Sequence, residues 1–185
     1  ILPQIDYGID LHTGGGQRFN FPQIRYSQED KQGKKLAEAF NAPFCFASRL
    51  IAGSFRKTAF KMGIPTIVYE AGESRRFNEK AIVEGIKGIQ NVLRSLEMLS
   101  GKKPAQKPKS IFLERTRWLR ASRAGMFIPQ KDNGAVVVKG EVIGMITDTD
   151  AKKNKKIKAP FDGYIFCINH QAVVNQGDAL FHLGC

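Results

Sequence analysis

A histidine closes one strand-like run, Ile9-Asp10-Leu11-His12, and a glutamate closes another, Ile67-Val68-Tyr69-Glu70. Neutral imidazole is a metal ligand, and a carboxylate can take a proton from an attacking water, so the two residues have the types needed for metal-assisted hydrolysis. Alternation along a strand puts Asp10 on the same side as His12, where its carboxylate can orient the imidazole. Arg18, Asn20 and Arg25 follow closely and suit a substrate carboxylate, which arginine grips through two parallel hydrogen bonds. Glu73 competes with Glu70 as the base, but it lies beyond Gly72 in an expected turn, where a solvated or salt-bridged acid belongs. Gly14-Gly15-Gly16 precedes no Gly-Lys-Ser/Thr and opens no helix, so it reads as flexible backbone beside His12 and not as a phosphate cradle. His170 and His182 fall in the C-terminal tail and read as structural or surface residues.

The elements that must position these residues form two parts. Up to residue 115, short β-branched or aromatic runs alternate with helical periods, which predicts βα units and a mixed or parallel sheet with helices on its faces. Strands are expected at Tyr7 to Leu11, Phe44 to Ala47 and Thr66 to Tyr69. The first puts His12 at a strand's C-terminal end, where open α/β sheets place their ligand sites. One helix is expected to start at Ser27, with Glu29 and Asp30 in its first turn, and to run to Phe40. A longer one follows Asn78, where Ile82, Ile86, Ile89, Leu93 and Leu96 recur at helical spacing and Gly101 stands as the C-terminal cap.

Lys102 to Ser110, rich in lysine and proline, reads as a linker. Beyond it there are strands and turns only, with a weak repeat: Val137 to Ile143 and Val174 to Leu180 share a Gly-acid-x-aliphatic core. Between the copies, Ala159-Pro160-Phe161-Asp162-Gly163 resembles the Ala-Pro-x-x-Gly segment of biotinyl and lipoyl carriers, without the Met-Lys-Met that carries their prosthetic group. The tail is therefore expected to be an all-β half-barrel of that type, unmodified.

Asp10-Leu11-His12-Thr13 with its trailing glycines, Asn20-Phe21-Pro22, Glu70-Ala71-Gly72, the long helix and the β-rich tail together resemble the succinylglutamate desuccinylase and aspartoacylase family of the zinc carboxypeptidase clan. The resemblance implies an α/β fold with a zinc-carboxypeptidase-like mixed sheet, here incomplete, over residues 1–115, and a β-rich accessory domain over 116–185. It implies a zinc-dependent deacylase that cleaves the amide bond of an N-acyl amino acid or similar small acyl compound. His12 would be a zinc ligand and Glu70 the base that passes a proton from the attacking water to the leaving amine. The family's remaining ligands come from a His-x-x-Glu pair before the Asp-Leu-His-Thr segment. No such pair occurs: Gly15, Val173 and Cys185 stand at that offset from His12, His170 and His182. Only eleven residues precede His12. The chain is thus expected to be the C-terminal part of a longer enzyme, binding zinc weakly or not at all and inactive alone, with an unpaired sheet edge that favours self-association through its N-terminal part. The alternative is a non-catalytic binding or scaffold module that keeps the fold.

Composition excludes other classes. No apolar run approaches the ~18 residues that span a bilayer, and Ile1 to Asp10 has no signal-peptide pattern, which points to a cytoplasmic protein without membrane partners. Cys45, Cys167 and Cys185 show neither metal nor redox spacing. The net charge of +12 sits largely in two runs, Lys102 to Arg123 and Lys152 to Lys158. Neither interleaves aromatic residues as single-strand binding surfaces do, so nucleic acid is not the expected partner. A solvated linker and a solvated hairpin loop account for the two runs, with attraction of acidic substrates as the second reading.

Overall fold

The structure, a computed structural model, describes residues 1–101, 110–150 and 152–185. The expected linker, Lys102 to Ser110, lies outside the described residues except for Ser110.

The first part contains strands β1 (Gly8–Gly14), β2 (Arg18–Tyr26), β3 (Phe44–Ala47) and β4 (Thr66–Glu73), with helices α1 (Lys31–Phe40), α2 (Phe55–Lys61) and α3 (Glu79–Ser95). The expected strands are present, but β4 runs four residues further and takes in Glu70 and Glu73. Helix α1 starts later than Ser27: Asp30 is the N-cap, its carboxylate accepting from the Gly33 backbone N–H at 2.7 Å. An Asp at that position satisfies a donor that the helix cannot. Asn78 caps α3 in the same way, accepting from Ala81 N at 2.9 Å. Helix α3 stops before Gly101: its C-cap is Leu96, followed by Glu97 at φ 61.

The first part closes with β5 (Ile111–Leu113), which pairs with β3, and the second contains β6 (Thr116–Arg120), β7 (Gly125–Pro129), β8 (Val136–Val137), β9 (Val142–Thr147), β10 (Asn154–Lys158), β11 (Gly163–Asn169), β12 (Val173–Val174) and β13 (Ala179–Gly184). β6 lies where strands were expected, whereas the second basic run holds strand at β10, where a solvated hairpin loop was expected. The sequence repeat is a repeat of structure. β8 to β9 and β12 to β13 are each a short strand, a turn and a longer strand, with Gly140 (φ 86) and Gly177 (φ 93) in the turns. These are left-handed conformations that glycine adopts without steric cost. In each turn the acid after the glycine accepts a backbone N–H three residues earlier: Glu141 from Val138 at 3.0 Å, Asp178 from Asn175 at 2.7 Å.

Among the described residues one sheet has nine strands, with the path β1-β4-β2-β11-β13-β6, and a second follows β10-β9-β7-β12. β1 and β4 are parallel, as are β2 and β3, whereas β2 is antiparallel to both β4 and β11. The β2–β11 pairing continues one sheet from the first part into the second. One core joins Ile24, Ile67 and Tyr69 of the sheet to Leu36, Phe40 and Val92 of α1 and α3. A second lies between the two sheets of the tail, around Ile143, Ile146, Ile165 and Phe181. Phe44, Phe46, Leu113 and Phe166 form a smaller cluster spanning both parts.

Candidate functional site

In the parallel register of β1 and β4, His12 stands opposite Glu70 and Asp10 opposite Val68. Residues paired across strands share a face of the sheet, so His12, Asp10 and Glu70 lie on the face opposite α1 and α3. The alternation read from the sequence is realised, with Asp10 Oδ2 3.0 Å from His12 Nε2. That contact engages Nε2 and leaves Nδ1 for a metal or a proton.

Strand β2 crosses beside β4 and brings two of the three expected clamp residues to Glu70. Asn20 Nδ2 donates to Glu70 Oε1 at 2.8 Å, and the Arg25 guanidinium pairs with Oε2. Arg18 goes elsewhere: its Nε donates to the Gly15 carbonyl at 2.9 Å and its guanidinium lies 5.8 Å from the centroid of the Trp118 ring. Glu73 lies in strand, not turn, but is salt-bridged, with Arg76 and His170 each at 3.7 Å. Gly14 is there for space and not flexibility. A Cβ on it would stand 2.0 Å from the Arg18 carbonyl oxygen, so only glycine lets the two backbone segments close the turn.

The sequence reading missed Arg56 and Gln23 on this face and took His182, which also lies there, as structural or surface. Arg56, on α2, is 8% exposed, and its Nη2 donates to the carbonyls of Ser48 and Arg49 and to Ser48 Oγ. Its Nη1 has no hydrogen-bond partner. Burial lowers its pKa, the charge of Arg25 adds to that, and Asp10 opposes it. Gln23, opposite Glu70 in the β2–β4 register, is fully buried with both amide atoms unpartnered. His182 on β13 stacks on Trp118 at 4.2 Å and packs against Phe166 and Phe46. Burial, helped by Arg25, pushes it down to about 3, so it is neutral at any physiological pH. Ser54 before a short segment is a readable helix start, so α2 could have been found. Nothing local distinguishes the buried Arg56 from Arg49.

The profile of the succinylglutamate desuccinylase/aspartoacylase catalytic domain matches residues 1–96, which include His12, Glu70 and Arg56. The chain belongs to that family. Solved structures of similar fold include the ectoine utilization protein EutE (DoeB) from Ruegeria pomeroyi, at 22% identity and a TM-score of 0.87 in its apo form, covering 99% of this chain and 61% of that one. Its product-bound form gives 23% and 0.85, covering 99% and 59%. A succinylglutamate desuccinylase/aspartoacylase from Rhodobacter sphaeroides gives 23% and 0.87, covering 100% and 59%. The chain thus spans about three-fifths of the length of these structures, and its mixed α/β fold is the family fold. No curated protein matches.

The family is generally zinc-dependent. A catalytic zinc needs about three protein ligands. The described residues contain no group of three or more His, Cys, Asp or Glu that could hold a metal. They do not by themselves fit the ion. No helix among them is long and apolar enough to cross a membrane. Cys45 and Cys167 are buried, and burial pushes both thiols up to about 12, which makes them poor nucleophiles and ligands.

Proposed function

We propose that the chain supplies the base and the substrate-binding wall of a zinc-dependent hydrolase acting on the amide bond of an N-acyl amino acid or a similar small acyl compound. The observation that carries this reading is the convergence of Glu70, Asn20 and Arg25 on the face that holds the Asp10–His12 pair. Glu70 takes a proton from the water that attacks the acyl carbonyl and delivers it to the amine nitrogen as the C–N bond breaks. Asn20 and Arg25 together fix the Glu70 carboxylate in place. Arg56, whose Nη1 is without a hydrogen bond and which has no carboxylate partner among the described residues, suits a substrate carboxylate better than Arg18 does. His12, oriented by Asp10, would be one ligand of the zinc. Residues 1–115 form the catalytic portion and 116–185 an accessory domain, for which the paired strand–turn–strand units support a half-barrel of the biotinyl and lipoyl type. His182 and Trp118 place its edge beside Arg25, in keeping with a role in shaping the site. A cytoplasmic location completes the reading, and the free buried thiols suit it.

Two measurements test it. In a protein that carries the full ligand set, Glu70→Gln should keep fold and metal but lower turnover by roughly 10²-fold or more, the scale of a lost general base. Glu73→Gln should do much less, and a reversed order would move the base to Glu73. The 185-residue chain alone should retain substoichiometric zinc after dialysis, measured by elemental analysis, since one imidazole does not hold the ion. Tightly held, stoichiometric zinc would mean that further ligands lie within the chain. A second reading, a binding or scaffold module, is favoured by the engagement of both Glu70 oxygens. Retained small-ligand binding without any turnover in the full-length protein would select it.

A further inference from the structure

The two basic runs, nearly thirty residues apart in sequence, meet in space. β6 is the last strand on the path of the large sheet and β10 an edge of the small one. Between these edges lies a groove of about 360 Å³, lined by Arg117 and Arg120 from one side and Lys155, Lys156 and Lys158 from the other, with Trp118 in its wall. No acidic residue lines it. Among the described residues no ion pair engages any of the five cations; Arg120 alone has a hydrogen bond, to the Gly177 carbonyl at 2.8 Å.

Like charges this close repel, and a compact anion between them would turn that repulsion into attraction. Lysine binds phosphate as a point charge and arginine through its planar fork, and the groove offers both. Its volume is in the range of small-ligand sites. The Trp118 ring already has partners, His182 at 4.2 Å and Arg18 at 5.8 Å, so recognition here rests on charge and not on stacking of a base. We propose that the β6–β10 groove is an anion site for a small compound bearing several adjacent negative charges, of the oligophosphate type, separate from the Glu70 site. It does not depend on the hydrolase reading, because no residue of the Glu70 cluster lines the groove.

Trp118 is the only tryptophan in the chain and reports on the groove directly. Inorganic tripolyphosphate titrated into the whole chain at constant ionic strength should change Trp118 emission saturably, with one site per chain by calorimetry. Replacing Lys155, Lys156 and Lys158 together by Gln should weaken binding by about tenfold or more, the loss expected when roughly 1.4 kcal/mol of charge attraction is removed. Removing the same charge from exposed positions elsewhere, Lys31, Lys35 and Lys61, should leave the affinity in place. Citrate in place of tripolyphosphate separates carboxylate from phosphate recognition, and weaker citrate binding is the expected result. A linear, non-saturating response, or equal loss in both triple variants, would overturn the proposal; the lysines would then serve only to keep two sheet edges from pairing with other chains. Affinity that keeps rising with the length of a long polyphosphate would also overturn it, since a compact site saturates with a short one.

Discussion

His182 lies 6% exposed between the Trp118 and Phe166 rings, and its imidazole is held down to about 3 against an ordinary value of 6.5. A base whose folded value is depressed is protonated first in the unfolded chain. Its contribution to stability is therefore complete above about pH 6.5 and is lost as the pH falls below it, by up to about 1.4 kcal/mol per unit. His182→Phe keeps an aromatic ring in the stack and removes the proton site. Denaturant melts between pH 6.5 and 5 should show wild-type stability falling and the variant's falling less; parallel curves would mean that the ring takes up its proton inside the fold. Single residues were legible in the sequence where the information is local. Asp10 and His12 meet because strand alternation alone decides it. The Asn20–Glu70 and Arg25–Glu70 contacts were not legible as contacts, since they need β2 to lie between β4 and β11, in a register with an irregularity between Asn20 and Gln23.

Periodicity marked out α3, but not the side it buries. Its buried positions are Gly85, Gly88 and Val92, while Ile82 and Ile86 of the apolar stripe are 46% and 53% exposed. The glycines let the helix sit close to the sheet and α1: a Cβ on Gly88 would stand 2.0 Å from Phe40 Cε1, and one on Gly85 3.0 Å from Tyr69 Cε1. Alanine improves helix propensity by about 1 kcal/mol. Overpacking against a fully buried ring costs typically 1–3 kcal/mol. The second effect should win at residue 88, because Phe40 is 1% exposed and has nowhere to move. Gly88→Ala should thus lower the denaturation midpoint and Gly85→Ala should change it less, as read by urea unfolding. A stabilised Gly88→Ala would mean that α3 can slide on α1. Helix α2 and strand β2 went unread for different reasons. The helix is short, and β2 carries Pro22 and two arginines that mask its alternation.

At the scale of the molecule, the mixed sheet, the helices and the all-β tail followed from composition and pattern, whereas the way the two parts join did not. β11 pairs with β2, and Phe166 packs with Phe44 and Phe46, through contacts more than a hundred residues apart that no local signal encodes. The same scale decides what the N-terminal part does in solution. β1 ends the sheet path, so its outer edge offers unpaired backbone donors and acceptors. Beside it, Leu11 is 59% exposed and forms a groove with Phe77, Ile82 and Ile86 of about 290 Å³. An open strand edge next to a contiguous apolar surface favours association. The 185-residue chain should therefore sediment as a concentration-dependent oligomer, and Ile82→Glu with Ile86→Glu should return it to monomer. Both side chains face the groove and not the core, so the thermal midpoint measured at low protein concentration should stay near wild type. A wild-type chain that remains monomeric up to its solubility limit would mean that the β1 edge and the α3 stripe do not act together as an adhesive surface.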